Sequence, residues 1–342
     1  MKDLHLHIGD KTTSIVIGRD LVSNLSQLKD RNLILLVDEN VLKLHSELFT
    51  EHNCITIPAG EKNKTISFAE SIYRKLVEKE IDRTSFLVGV GGGMTTDIAG
   101  FVASTYMRGI EFGFISTTVL GQVDASIGGK NGVNLDGYKN MIGNIRQPSF
   151  VWCDFSLLET LPKNELLSGL AEIVKYGAIW NSELLTYIES YTEQVLELEP
   201  GAMEHIVTVS AKIKMDIVEK DVMEKRDRKF LNFGHTLGHA IEKLTGMLHG
   251  EAISIGMVMA SRISVTLGFL EENDADRLEQ ALVSLGLPVQ TDISIDNIFS
   301  TLLKDKKRAG DMMHLILLKA LGEAFIHEIQ LNELKKLLND LY

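Results

Sequence analysis

Cysteine and long apolar runs are scarce in this sequence. The first shortage argues against a disulfide-stabilised protein, and the second argues against a membrane protein. The two cysteines, Cys54 and Cys153, provide no disulfide framework, which indicates a reducing compartment. No uncharged apolar run is long enough to span a membrane, and no signal-peptide pattern precedes the first strand-like segment. We therefore expect a cytoplasmic protein that does not enter a membrane.

Positive charge is also in short supply. The sequence has 35 Lys and Arg residues against 47 Asp and Glu, a formal net charge of -12. Nucleic acids and anionic membranes require a net basic face, so neither is an expected partner, whereas a local basic pocket for a small anion remains compatible with this charge. The length of 342 residues predicts two domains.

Three common site motifs are missing as well. Thr236 follows His235 where the H-E-x-x-H motif of zinc peptidases has its Glu, so peptidase chemistry is not expected. The triplet Gly91–Gly93 is not followed by the Gly-Lys-Ser/Thr of a Walker loop, and it does not have the strict G-x-G-x-x-G spacing of a dinucleotide-binding turn.

Residues 1–155 nevertheless predict an α/β domain that binds a nucleotide. Leu33–Val37 and Phe86–Val90 are continuous apolar runs, typical of buried parallel strands. The second run meets Gly91–Gly93 and a predicted helix start, an arrangement that can bind phosphate, although a tight turn without a ligand is the alternative. Asp38 ends the first run and could accept hydrogen bonds from the ribose of NAD, but it precedes the glycine turn instead of following it.

A second polar, glycine-rich region covers residues 114–146. We predict a functional loop here, because the segment is too polar for a core, and a solvated loop is the alternative. Its polar residues are Gln122, Asp124, Lys130, Asn134, Lys139 and Asn140.

Residues 156–342 predict mainly helices and a metal site. His235 and His239 are four apart and share one face of a predicted helix, and His249 follows at the start of another. Imidazoles in this pattern commonly bind zinc together with a distant carboxylate, whereas histidines that merely cap or cover helices are the alternative.

Two further pairs of polar residues in this half are candidates for the same site. Glu172 and Lys175 share a predicted helix face, but an ordinary surface ion pair has the same spacing. Arg228 and Asn232 are predicted on the same side of the helix as His235, where they would form an anion-binding pocket.

Together these segments resemble the 3-dehydroquinate synthase family of sugar phosphate cyclases. The matching motifs run nearly end to end: GEKNKT, GGGMTTDIAGF, STYMRG, TTVLGQVDASIGGKNGVN, YKNMIG, GLAEIVKYG, RKFLNFGHTLGHAIE, LHGEA and DKKR. The resemblance implies an N-terminal NAD-binding α/β domain, an all-α C-terminal metal-binding domain and a homodimer. It also implies a shikimate-pathway reaction, in which 3-deoxy-D-arabino-heptulosonate 7-phosphate is transiently oxidised by NAD, loses phosphate, is reduced again and closes by an aldol step to 3-dehydroquinate.

The resemblance also assigns roles to individual residues. The ligands of Zn²⁺ or Co²⁺ would be Glu172, His235 and His249, so His239 would contact the substrate, whereas the helical spacing alone favours His235 and His239 as the ligand pair. Catalytic roles would fall to Asp124, Lys130, Lys175, Arg228, Asn232 and His239. Substrate contacts would come from Asn140, Lys214, Lys306, Lys307 and, across the dimer interface, Arg108. NAD would be bound by Asp38, Glu61, Lys64, Gly92, Gly93, Asp97, Thr117, Thr118, Lys130 and Lys139.

Three other functions are compatible with much of this pattern. Sister cyclases that form inosose or valiolone precursors share the expected fold, although the QVDASIGGK segment favours dehydroquinate formation. A metal-dependent polyol dehydrogenase has the same two-domain plan but would consume NAD. A binding module without catalysis is the third alternative, and the retention of Glu172, His235 and His249 argues against it.

Overall fold

A computed structural model describes residues 1–28, 31–136, 138–303 and 311–341. The chain divides into two compact units, Met1–Pro162 with Met203–Glu219 and Lys163–Ala202 with Lys220–Tyr342. Within the described ranges, no helix is long and apolar enough to cross a membrane. The predicted substrate contacts Lys306 and Lys307 lie outside the described residues.

The first unit is built on a mainly parallel sheet. Its strands are β1 (Lys2–Ile8), β2 (Lys11–Gly18), β3 (Leu33–Asp38), β4 (Cys54–Ile57), β5 (Phe86–Gly91), β6 (Glu111–Ser116), β7 (Lys130–Leu135), β8 (Tyr138–Ile145) and β9 (Phe150–Asp154). Its helices are α1 (Glu39–Leu44), α2 (Ile66–Glu78) and α3 (Gly93–Thr105). Among the described residues, seven of these strands form the sheet in the order β1-β2-β9-β6-β5-β3-β4, whereas β7 and β8 form a separate hairpin. In the sheet, β1 and β2 are antiparallel and the other pairs are parallel.

The two apolar runs predicted as buried strands lie side by side in this sheet. In β3 and β5, Val37 pairs with Val90, and every residue of β5 is buried. Strands of a parallel sheet covered on both faces need apolar side chains throughout, which explains their unbroken apolar pattern. The predicted α/β domain is confirmed.

The connections of β3 and β5 create a crevice between them. The chain leaves β3 through α1 to β4 on one side, and it leaves β5 through α3 to β6 on the other side. Adjacent parallel strands that continue in opposite directions define the switch point at which open α/β sheets bind ligands. The fold therefore places a ligand-binding crevice at the carboxyl ends of β3 and β5.

The polar region of residues 114–146 is more regular and more buried than the predicted loop. A π-helical turn, Gly121–Ala125, precedes an antiparallel hairpin of β7 and β8. The Gln122 Nε2 donates hydrogen bonds to two backbone carbonyl oxygens at 3.0 Å, and the Asn131 Nδ2 donates to two at 2.8 and 3.0 Å. The loop prediction was wrong because buried amides that are satisfied by backbone carbonyls can be part of a core.

The second unit is mainly helical. Its helices are α4 (Lys163–Ile179), α5 (Ser182–Ser190), α6 (Thr192–Leu196), α7 (Pro200–Lys220, of which Met203–Glu219 belong to the first unit), α8 (His235–Thr245), α9 (His249–Thr266), α10 (Glu272–Ser284), α11 (Ile295–Leu302) and α12 (Leu331–Leu341). The predicted helical domain is confirmed with one correction to the all-α description. An antiparallel hairpin, β10 (Met312–Ala320) and β11 (Glu323–Gln330), lies before α12, and the all-α description, which came from the family resemblance, leaves it out.

Candidate active site

Three imidazoles converge in the second unit. His235 is the first residue of α8, His239 lies one turn later, and His249 is the first residue of α9. One ring nitrogen of each lies within 4.8 Å of the others, and the ring centroids are 5.1 to 5.7 Å apart. The fold thus brings together the three histidines that the sequence singled out.

A buried carboxylate from α4 completes this cluster. The Glu172 Oε1 lies 3.5 Å from the His235 Nε2 and 3.4 Å from the His249 Nε2. The other oxygen of Glu172 contacts the Nζ of Lys175, and both of these side chains are at most 1% exposed, which excludes the surface ion pair. Two imidazole nitrogens that face one carboxylate oxygen are a donor set suited to Zn²⁺ or Co²⁺.

The protonation of the two facing histidines also suits a cation site. The His235 Nδ1 lies 3.0 Å from the carbonyl oxygen of Phe233, so Nδ1 carries the proton and Nε2 offers its lone pair. Burial and the charge of Lys175 lower the pKa of His235 well below its usual range. Burial also opposes a charge on His249, but the carboxylates of Glu172 and Glu242 outweigh it and raise the pKa of His249 to about 9. The negative charge of these two carboxylates would also favour a metal cation, which would replace the proton on the His249 Nε2.

Close packing of α8 on α9 holds the histidines in place. A Cβ atom added at Gly256 would lie 2.1 Å from the carbonyl oxygen of Gly234, which an alanine could not occupy without moving one helix. Gly234 itself has φ 74°, a left-handed conformation that favours glycine. Glycine at these two positions therefore sets the distance between the helices that carry His235 and His249.

Arg228 and Asn232 do not lie on α8, and this part of the prediction was wrong. They belong to a separate 3₁₀ segment, Asp227–Asn232, which ends before Gly234, the left-handed residue that precedes α8. Arg228 is 1% exposed, and its Nη1 donates a hydrogen bond to a backbone carbonyl at 2.7 Å. The Asn232 Nδ2 donates to Glu224 Oε1 at 2.8 Å. Helical periodicity does not reveal a left-handed residue between two turns, and it gave no reason to select Glu224.

In the first unit, the glycine turn and Asp38 both border the crevice between β3 and β5. Gly92 caps the amino end of α3, and a Cβ atom there would lie 2.9 Å from Thr118 Cγ2. The Asp38 Oδ1 accepts a hydrogen bond from the amide of Asn40 at 2.9 Å, and its Oδ2 accepts from Thr95 Oγ1 at 3.4 Å. Burial raises the pKa of Asp38. Asp38 precedes the glycine turn in sequence but lies beside it in the sheet, because β3 and β5 are neighbours.

Several predicted cofactor residues form one polar network. The Lys64 Nζ contacts the carboxylate of Asp97 and donates to Asn140 Oδ1 at 2.6 Å. Asn134 connects this group to the next turn, because its Oδ1 accepts from the amide of Asn140 at 2.8 Å and its Nδ2 donates to Glu61 Oε1 at 2.9 Å. The structure therefore brings together residues that lie far apart in the sequence.

The remaining predicted residues of the first unit lie in several different environments. The Asp124 Oδ1 accepts from Lys214 Nζ at 2.5 Å. Thr117 is buried beside the glycine turn, and its amide donates to the Gly91 carbonyl at 3.0 Å. Thr118 is half-buried and accepts a hydrogen bond from the amide of Gly121 at 3.0 Å. The exposed residues are Arg108, Lys130 and Lys139.

The partly buried carboxyl of Asp97 leads to a pH prediction. Burial raises the pKa of Asp97 from 3.8 to about 6, and the attraction of Lys64 does not cancel this effect. The folded state therefore binds this proton more tightly than the unfolded state, so the stability from Asp97 is fully present below pH 3.8 and is lost as the pH rises through about 6. We expect Asp97→Asn to remove this contribution. Urea unfolding of both proteins from pH 4 to 7 tests it, and stability curves that stay parallel would contradict it.

Solved structures first define the class of protein. A 2-deoxy-scyllo-inosose synthase complexed with carbaglucose-6-phosphate, NAD+ and Co²⁺ superimposes with a TM-score of 0.88 at 25% identity, covering 99% of this chain and 100% of that chain. A 2-epi-5-epi-valiolone synthase from Streptomyces hygroscopicus subsp. jinggangensis 5008, with NAD+ and Zn²⁺ bound, gives the same TM-score and identity and covers 98% of both chains. A probable glycerol dehydrogenase from Sinorhizobium meliloti 1021 shares the fold, with a TM-score of 0.67 at 16% identity and coverage of 96% and 95%. The fold is that of the sugar phosphate cyclases.

Sequence comparison then identifies the family. Residues 54–168 match the 3-dehydroquinate synthase N-terminal family, and residues 169–308 match the 3-dehydroquinate synthase C-terminal family. The 3-dehydroquinate synthase of Thermodesulfovibrio yellowstonii is 40% identical over 99% of this chain and 100% of its own length. That of Thermoanaerobacter pseudethanolicus is 39% identical with the same coverage. The chain belongs to the 3-dehydroquinate synthase family.

Proposed function

We propose that this protein converts 3-deoxy-D-arabino-heptulosonate 7-phosphate to 3-dehydroquinate and inorganic phosphate, as a phosphate-eliminating lyase that depends on NAD and a divalent metal. The arrangement around Glu172 carries the proposal: one oxygen contacts Lys175, and the other faces His235 and His249. Such a site suits a substrate with several hydroxyl groups. Family membership supplies the identity of that substrate.

The residues fit the two groups that this reaction needs. Glu172, His235 and His249 would hold Zn²⁺ or Co²⁺, and the turn at Gly92 with Asp38 would bind NAD. When bound, NAD supplies reversible hydride removal and is regenerated in each turnover, and the metal supplies polarisation of substrate oxygen. The first amides of α3 can donate to a pyrophosphate, and the Asp38 carboxylate can accept from ribose hydroxyls.

The substrate carries a carboxylate and a phosphate, so this acidic protein must provide positive charge locally. In the second unit, the buried Arg228 and Lys175 are suited to that role, since a guanidinium binds carboxylate or phosphate in a bidentate manner. We assign His239 and Asn232 to proton transfer and orientation, because an imidazole can both accept and donate a proton and an amide can hold a substrate oxygen. In the first unit, the ion pair of Asp124 and Lys214 offers an acceptor and a donor for hydroxyl groups.

One assay separates this function from its alternatives. The purified protein is mixed with the heptulosonate phosphate, zinc and a trace of NAD+, and inorganic phosphate and NADH absorbance are followed together. We expect the release of many molecules of inorganic phosphate for each molecule of NAD+ added, without accumulation of NADH. Accumulation of NADH without phosphate would indicate a polyol dehydrogenase. If neither signal appears, the proposal is wrong and other sugar phosphates are the next substrates to test.

We also propose that the protein acts as a homodimer in which Arg108 reaches the substrate phosphate bound to the partner subunit. Arg108 is exposed, and the preceding Met107 and Arg108 itself have φ 50° and 68°. Left-handed residues other than glycine cost of order 1–3 kcal/mol each and occur often at functional sites. This conformation supports a functional role for the exposed arginine.

Subunit complementation tests the role of Arg108. Arg108→Ala and His249→Ala should each be nearly inactive alone, for different reasons. After subunit exchange, a mixed dimer has one site with an intact metal centre and an intact arginine from its partner. We expect roughly one quarter of wild-type phosphate release from an equal mixture, because half of the dimers are mixed and each has one complete site. No gain over the separate variants would show that Arg108 does not act across subunits.

A further inference from the structure

The His249 ring lies between two carboxylates, one at each ring nitrogen. Its Nε2 is 3.4 Å from Glu172 Oε1, and its Nδ1 is 3.6 Å from Glu242 Oε2, a contact of ion-pair length. The Glu242 side chain is only 14% exposed. It lies seven residues after His235 on α8, so both residues share one helix face toward the imidazole cluster.

The environment of His249 matches that of His235. The His235 Nδ1 is 3.0 Å from the Phe233 carbonyl oxygen, and its Nε2 faces the same Glu172 Oε1 at 3.5 Å. Each ring thus has an oxygen acceptor beside Nδ1 and the shared Glu172 oxygen beside Nε2. An acceptor at Nδ1 retains the ring proton there and leaves the Nε2 lone pair available for a metal ion. The two rings differ in that a carbonyl serves His235 and a carboxylate serves His249.

We propose that Glu242 is a positioning residue that fixes the tautomer and orientation of His249 for metal binding. This inference rests on the proposed function, in which His249 is a metal ligand. A carboxylate at Nδ1 also makes the Nε2 of the imidazole a stronger electron-pair donor to a metal ion. Loss of such a partner typically weakens metal affinity by about 10- to 100-fold. Glu242 does not need to touch the substrate or the metal for this effect.

The test compares Glu242→Gln with Glu251→Gln in the full-length protein. The glutamine keeps an oxygen acceptor of the same size but removes its charge. Glu251 is a matched control because it lies on α9, the helix that also carries His249, and is likewise a glutamate that accepts from a neighbouring group. Its Oε2 accepts a hydrogen bond from the amide of Leu248 at 3.0 Å. Zinc affinity is measured by competition with a chromophoric chelator. We expect Glu242→Gln to bind zinc about 10- to 100-fold more weakly and Glu251→Gln to bind it as the wild-type protein does.

A spectroscopic measurement separates positioning from a general structural effect. In the zinc-loaded protein labelled with ¹⁵N-histidine, the Nδ1 proton of His249 should resonate further downfield in the wild-type protein than in Glu242→Gln, because a charged carboxylate attracts that proton more strongly than a neutral amide oxygen does. Unchanged zinc affinity in Glu242→Gln overturns the inference, as does an equal loss in Glu251→Gln. If the wild-type protein binds zinc and releases phosphate while Glu242→Gln matches it, only this inference fails. A wild-type protein that binds no zinc overturns the proposed metal dependence as well.

Discussion

Replacement of His249 by Ala is expected to abolish metal binding and to reduce phosphate release by roughly a thousandfold or more. The change removes one of the two imidazoles that face Glu172 Oε1, and polarisation by a metal ion contributes several kcal/mol to such reactions. The first unit should stay folded and should still bind NAD, because His249 belongs to the second unit. Metal content, phosphate release and NAD binding are measured on the same preparation.

A surface histidine provides the control for this experiment. His314 on β10 pairs with Glu328 at 2.8 Å, and both side chains are substantially exposed. Because exposed pairs contribute little, His314→Ala should keep its metal and its rate. The assays are repeated in a buffer that has been stripped of metal by a chelator. If His249→Ala or His314→Ala releases phosphate there at the wild-type rate, the assignment of Glu172, His235 and His249 as zinc ligands is refuted.

The sequence predicted elements well where one physical pattern dominated. The apolar runs of β3 and β5 could be recognised because a strand buried on both faces has no polar positions. The burial of residues 114–146 could not be predicted from an apolar pattern, because it depends on hydrogen bonds to backbone carbonyls of other segments. The amide of Gln122, for example, donates to the carbonyl oxygens of Ser116 and Asp154. No local pattern carries that information.

The candidate site shows the same division. Histidine spacing on α8 and at the start of α9 was enough to predict a cluster, but spacing alone favoured His235 with His239 as ligands. The buried position of Glu172 depends on how α4 packs against α9, and the family resemblance was needed to select it before the structure was known. The position of Asp38 before the glycine turn in the chain argued against its role in binding the ribose of NAD. The strand order of the sheet nevertheless puts Asp38 beside the glycine turn. Tertiary contacts of this kind cannot be predicted from local sequence.

Lys175→Met should destabilise the metal-free protein by about 3–5 kcal/mol, the usual cost of breaking a buried ion pair by removing one partner. Lys175 and Glu172 are 1% and 0% exposed, so the Glu172 carboxylate would remain out of contact with water and lose a neighbouring positive charge. A bound divalent cation would replace part of that charge. We therefore expect the loss of stability to be much smaller with saturating zinc than with a chelator.

Urea unfolding of the wild-type protein and Lys175→Met, each with zinc and with chelator, measures this difference. Lys335→Met is a matched control, because Lys335 pairs with Asp296 at 2.8 Å at the surface, and its loss should cost less than about 1 kcal/mol in both conditions. Phosphate release by Lys175→Met should also fall, since this lysine contacts the carboxylate that would hold the metal. If Lys175→Met loses the same stability with and without zinc, then Lys175 stabilises the packing of α4 and does not neutralise the charge at a metal site.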